Sequence, residues 1–181
     1  MDKHFELTDK FIINALGAKL FQIKCTRKIK YAYIGDLGGY IEKEDNLSGD
    51  AWVCGNARVC GNARVCGDAQ VYGDAQVYGD AWVCGDAWVC GDARVYGDAR
   101  VCGNARVSND NEHCGFDCFG SANRHTHSYK TKSGKIEITC GCFRGSIEEF
   151  EKQIKETHRG NEFERQYMAI VEVIKIKFGL K

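Results

Sequence analysis

From Gly49 to Ser108 the chain repeats one hexapeptide ten times: Gly, Asp or Asn, Ala, a variable residue, Val, then Cys or Tyr, with Ser closing the last copy. A unit of six residues cannot bury its own apolar face. It has to stack on its neighbours, so a fixed short period of this kind predicts a β-helix, in which the chain coils into a tube of short strands. Ala and Val lie two positions apart and share one face of a strand, while the variable residue and the residue after Val face the other way. Gly and Asp/Asn follow as a pair, and both tolerate the backbone angles of a corner. The inward set is therefore small plus β-branched. Val53 to Val107 keep one register, which runs backward through Leu47 to Ile41 and predicts that the tube begins before the perfect repeats.

The repeats GDAWVC, GNARVC and GDAQVY resemble those of the hexapeptide-repeat proteins. That resemblance implies a left-handed parallel β-helix of triangular section with three hexapeptides per coil, or about four coils spaced by ~4.8 Å. Residues 18 apart would then stack. Cys66, Cys84 and Cys102 would form one outward column, and Arg64, Trp82 and Arg100 another. The same resemblance raises acyl transfer as an alternative activity, carried by a His on a coil face. No His lies between residues 41 and 112, and no inserted loop interrupts the repeats. A β-helical carbonic anhydrase would need three such His. The expectation is therefore a protein that is not an enzyme and has no cofactor.

An open tube exposes sheet edges, so the flanks are expected to cap it. The predicted fold is mostly β: an N-terminal α/β cap over residues 1–40, the repeat tube over 41–108 and a C-terminal strand-plus-two-helix cap over 109–181. The N-terminal flank reads as a helix or turn near Leu7–Leu16 and a strand near Leu20–Cys25, followed by the locally basic run Lys24, Arg27, Lys28 and Lys30. The polar stretch 108–145 reads as one strand, Lys135–Thr139. Ser146 with Glu149 forms a capping box opening a helix near 146–159, and Asn161 with Glu164 repeats the arrangement for a helix near 162–178. This helix pair can plug the tube or form a homodimer contact.

Lys plus Arg number 25 against 25 Asp plus Glu, which does not imply a large nucleic-acid footprint. No apolar run approaches the ~18 residues of a membrane span, and Met1 opens no signal-peptide pattern, so a cytosolic location is expected. Eleven Cys is an odd count, and the six in the repeats alternate with Tyr at one position. Reduced thiols acting as outward fillers are expected. His113, Cys114, Cys118, His125, His127, Cys140 and Cys142 cluster within a short stretch. Cys114, Cys118, Cys140 and Cys142 are weak candidates for a structural zinc, because the spacing is tolerable for four ligands without being a zinc signature.

The entry stretch GDLGGYIEKEDNLS, the repeats and the tail ITCGCFRGSIEEFEKQIKETH together resemble a group of phage and prophage proteins. Gly141, Cys142, Phe143, Gly145, Glu149, Phe150, Thr157 and His158 match the tail pattern, with Ser146 where Thr is usual. The resemblance covers nearly the whole chain and implies a phage or mobile-element origin without supplying an activity. The outward Trp52, Trp82, Trp88, Tyr72, Tyr78, Tyr96, Arg64 and Arg100 are residue types enriched in binding hot spots, and the Asp/Asn corners form acidic ridges able to imitate phosphates. The expected function is non-catalytic binding in the host cytoplasm. Its most specific form is inhibition of a host defence nuclease, an anti-CRISPR-like action on a CRISPR effector or its ribonucleoprotein. A structural or assembly component of the phage is the alternative.

Overall fold

A computed structural model describes residues 3–180, and the chain divides into two compact units between Asn109 and Asp110. The first unit holds β1 (Phe5–Ile13), β2 (Lys19–Cys25) and β3 (Leu37–Ile41). After a 3-10 turn at Glu44–Asn46 come ten two-residue strands, β4 to β13: Trp52–Val53, Arg58–Val59, Arg64–Val65, Gln70–Val71, Gln76–Val77, Trp82–Val83, Trp88–Val89, Arg94–Val95, Arg100–Val101 and Arg106–Val107. They pair in parallel with partners 18 residues away, as Arg64 with Trp82 and Trp82 with Arg100. Three sheets result, one per side of the coil: β3-β5-β8-β11 (extended by β1 and β2), β4-β7-β10-β13, and β6-β9-β12. The tube is a parallel β-solenoid of about four turns. Ile41 pairs with Val59, and Leu47 bridges to Val65, so the register does begin ahead of the perfect repeats.

Every repeat Val is fully buried and the repeat Ala are 0–3% exposed, which confirms the inward set. The hydrogen-bond ladder runs from strand into corner: Arg64 N donates to Ala81 O at 2.9 Å, Cys66 N to Val83 O at 2.9 Å and Asp68 N to Gly85 O at 2.9 Å. The corner explains the invariant glycine. Gly85 has φ +71°, and a Cβ there would lie 2.9 Å from the backbone nitrogen of Gly103 in the next coil, so both angle and space exclude a side chain.

The N-terminal flank differs from the expectation. Leu7–Leu16 is not a helix: β1 lies antiparallel to β2, with Phe5 opposite Cys25, Leu7 opposite Ile23 and Phe11 opposite Phe21. The i, i+4 spacing of Leu7 and Phe11 suits a helix, but these residues form a hairpin whose turn is fixed by Asn14. The Asn14 side-chain oxygen accepts from Leu16 N at 3.0 Å and Ala18 N at 2.9 Å, and Gly17 supplies a φ of +83°. β2 in turn pairs with β3, so the hairpin continues one side of the solenoid as sheet. Side chains serve the backbone elsewhere in the first turns. Fully buried Asn46 donates to Gly61 O at 3.1 Å and Ala63 O at 2.8 Å, Glu42 accepts from Gly61 N at 2.6 Å, and His4 Nε2 donates to Ala51 O at 2.8 Å.

The second unit corrects a second expectation. Segment 108–145 holds more than one strand: β14 (His113–Phe119), β15 (Arg124–Lys130), β16 (Ile136–Cys140) and β17 (Phe143–Gly145) form an antiparallel sheet in that order. These strands read as polar because hydroxyls and thiols occupy buried positions and satisfy one another across the ladder. Cys114 Sγ lies 3.0 Å from Ser128 Oγ, and Thr126 Oγ1 donates to Cys140 Sγ at 3.3 Å. α1 (Ile147–His158) and α2 (Glu162–Phe178) pack Ile147, Phe150, Ile154, Tyr167, Ile170, Val171 and Ile174 against Ile138 and Cys140. Ser146 accepts from Glu149 N at 3.2 Å while its own N–H donates to Glu149 Oε2 at 2.7 Å, the capping box read from sequence. Asn161 accepts from Phe163 N and Glu164 N at 2.9 and 3.1 Å.

The packing of the first unit can be tested at two positions. Val83→Asp places an unpaired charge in a dry interior at a cost of several kcal/mol, and soluble expression should be lost; a mutant that melts like the parent would place Val83 outside the core. Burial holds the His4 imidazole below its usual 6.5, opposed by its bond to Ala51 O and the charge of Asp50. The unfolded chain therefore binds this proton more readily. The contribution of neutral His4 is complete above the unfolded value and is lost as pH falls through the folded one. His4→Gln keeps an N–H donor for Ala51 O, and its melting temperature should fall less than the parent's between about pH 7.5 and about pH 5.5. Equal falls would show that His4 does not carry this dependence.

Candidate functional site

Stacking at 18 residues turns each outward position into a file, and the three sides of the solenoid differ in what their files expose. On the β6-β9-β12 side, Arg64, Trp82 and Arg100 follow one another in strict register and all three are exposed. The Arg100 guanidinium lies over the Trp82 ring, 5.6 Å from its centre, a cation–π contact worth about 0.5–1 kcal/mol when exposed. The indole N–H of Trp82 donates to Cys66 Sγ at 3.0 Å, which pins the ring at 40% exposure. Beside the file, Lys43, Asp45, Asn62 and Asp80 join Arg64 and Trp82 around a hollow of about 400 Å³.

The neighbouring column of Cys66, Cys84 and Cys102 forms as the spacing predicts, with one difference. Cys84 and Cys102 are joined in a disulfide, their Cα atoms 4.6 Å apart, whereas the sequence points to reduced thiols throughout. Superposing identical positions in successive coils brings the two residues within bridging distance. Cys66 remains a free thiol.

The other candidates are spread over the remaining sides. Trp52 is a correction: it is 3% exposed, with the His4 ring 6.2 Å away, and presents nothing to a partner. The N-terminal segment that covers it was legible only as a flank, without its placement. Trp88 is half-buried. Tyr72 is half-buried too, and burial, reinforced by the Cys90 thiol, pushes its phenol up to about 12. Tyr78 and Tyr96 stack at 5.4 Å with their planes 13° apart, and Tyr96 is 55% exposed. The eight candidates therefore do not form one site. Arg64, Trp82 and Arg100 do, and Lys43, Asn62 and Asp80 belong with them; Asn62 and Asp80 are Asp/Asn corners of the repeat, whereas no motif marks Lys43.

The acidic corners are not uniform. Asp50, Asp68 and Asp86 form one file, and the basic run of the N-terminal flank meets it: Arg27 pairs with Asp50 at 2.7 Å and Lys30 with Asp86 at 3.6 Å. On the other two corners Asn56 donates to Asp74 at 3.1 Å and Asn62 to Asp80 at 3.2 Å, while Asp92 and Asp98 continue those files.

Cys114, Cys118, Cys140 and Cys142 are not brought together. Cys114 faces Ser128 across β14–β15, Cys140 faces Thr126 and the Tyr167 hydroxyl, and Cys118 and Cys142 are exposed, Cys118 at φ +62°. Antiparallel register separates them: Cys114 and Cys140 lie on strands that are not neighbours. Among the described residues no group of three or more His, Cys, Asp or Glu converges as a metal site. No helix among them is long and apolar enough to cross a membrane.

No curated protein matches the chain. Residues 51–67, 57–73, 69–85, 75–91 and 99–110 match the family described as the YdcK Beta solenoid repeat. The match falls on the hexapeptide repeats and the two residues after them and covers less than half of the chain; with the coil geometry above, it shows a β-helical repeat protein.

Proposed function

We propose that this protein acts by binding a protein partner through the Arg64–Trp82–Arg100 file, and that in its most specific form it is a phage-encoded inhibitor of a host defence nuclease of the CRISPR effector class, working in the host cytoplasm. The observation that carries the binding reading is the file itself. A guanidinium, an indole and a second guanidinium stand at strand spacing on three neighbouring strands, with Trp82 on the central strand, which is paired on both sides. Its backbone and its bonded indole have little freedom left to lose on association. Trp and Arg are the residue types that most often dominate interface energetics. The hollow beside Trp82 offers a partner side chain a place to insert. Phage origin rests on the resemblance of the entry stretch, repeats and tail, and the choice of a nuclease rests on that origin together with the Asp80–Asp98 and Asp74–Asp92 files, whose regular spacing can compete for a nucleic-acid groove.

The reading predicts a separation of fold from function. Trp82→Ala combined with Arg100→Ala removes exposed groups only, so the melting temperature should stay close to the parent's, within about 0.5 kcal/mol per site. Binding to a guide-loaded effector, read by calorimetry and by target cleavage, should weaken by about 2 kcal/mol or more. A double mutant that inhibits cleavage as well as the parent overturns the file as the binding site. A parent protein that is inert in this assay but abundant in purified particles would make it an assembly component instead.

A further inference from the structure

The tail residues that carry the phage resemblance have no part in the solenoid face, yet the second unit gathers them. Cys142, Phe143, Phe150, Thr157 and His158 line one cleft between the β16–β17 turn and the two helices, together with Arg124 and Tyr167. Its volume is about 470 Å³, which falls in the range of small-molecule sites.

The walls are aromatic. Phe143 packs on Phe150 at 5.0 Å, Phe150 meets Tyr167 edge-on at 5.8 Å, and the His158 ring stacks on Tyr167 at 5.4 Å and 27°. Phe150 and Tyr167 are buried, so the surfaces left for a ligand are those of Phe143 and His158.

The charge is one-sided. No Asp or Glu is among the described residues lining the cleft. Arg144, at its rim, is already neutralised by Glu137 through Nε at 2.5 Å and Nη2 at 3.4 Å. Arg124 is exposed and forms no ion pair with any described residue. The backbone makes room for its guanidinium: Gly141 has φ +60°, and a Cβ there would lie 2.7 Å from Arg124 Nη1. Gly120 does the same for Tyr167, since a Cβ at that position would overlap the phenol oxygen. Burial, with the Cys140 thiol beside it, pushes the Tyr167 phenol up to about 12 against the opposing pull of Arg124, so the hydroxyl stays protonated at neutral pH.

We propose that this cleft binds a small anion built on a planar ring, with the ring against Phe143 and His158 and its carboxylate or phosphate on Arg124. An unopposed guanidinium at the mouth of an aromatic pocket is complementary to that combination and to neither half alone. The site is independent of the solenoid face, so either reading can fail without the other.

Calorimetric titration of the full-length protein tests it with matched pairs. Adenosine 5′-monophosphate is set against adenosine, and indole-3-acetate against indole-3-acetamide. At least one anion should bind, with its neutral counterpart at least about tenfold weaker. Arg124→Gln should keep the parent's melting temperature and lose at least about tenfold in affinity for the same anion. Nucleotide binding would assign a phosphate ligand, and binding of indole-3-acetate alone a carboxylate. Neither anion binding below about 10 mM, equal binding of the neutral partners, or unchanged affinity in Arg124→Gln would each overturn the proposal.

Discussion

The solenoid depends on one constraint, the corner at which Gly takes a left-handed backbone conformation directly above the next Gly. Gly85 over Gly103 leaves no room for a Cβ, and that contact holds successive 18-residue coils in register, because a slip by anything other than whole hexapeptides would place a side chain where only backbone fits. Once the corner is fixed, every other repeat position is superposed on its own kind. Val meets Val inside, the ladder of Arg64, Cys66 and Asp68 N–H groups finds its carbonyls in the next coil, and outward residues become files.

Superposition has a cost that the deviations from the repeat relieve. Stacked aspartates repel at strand spacing, and the sequence answers with Asn where the acidic files begin on two corners: Asn56 and Asn62 donate to Asp74 and Asp80. The third corner lacks an Asn in its first three members, and there Arg27 and Lys30 arrive from the N-terminal flank. Trp82 between two arginines is the same solution for cations, since an indole face attracts a guanidinium that a third Arg would repel. The basic run near Lys24 thus has a structural task on the solenoid's own acidic ridge.

What was legible in the sequence follows from how each part is stabilised. Ile41, Leu47 and the Val series announce their burial by period alone, and Ser146, Glu149 and Asn161 announce helix ends through local hydrogen bonds. The misses are all non-local. β1 is a strand because β2 offers it a partner, and the Leu7–Phe11 spacing carries no trace of that partner. The four-stranded sheet hides behind polar residues such as Thr126 and Ser128, whose burial is tolerable only because Cys140 and Cys114 stand opposite. Trp52 reads as an outward aromatic by period, and only the path of the N-terminal segment covers it. Of the candidate site, the Arg64–Trp82–Arg100 file was legible from the 18-residue stack, while Lys43 and Asp45 precede the perfect repeats and carry no periodic mark.

The two units divide chemical labour for a physical reason. A perfect repeat multiplies whatever it carries, so it builds extended arrays and cannot place three different functional groups around one point without breaking its own register. Singular arrangements must come from outside it. In the first unit they arise where non-repeat residues such as Lys43 and Arg27 meet a file. In the second they arise where antiparallel strands and helices bring Arg124, Phe143, His158 and Tyr167 from four separate elements to one cleft. Extended arrays therefore belong to the solenoid, and singular clusters belong to the non-repeat segments of both units.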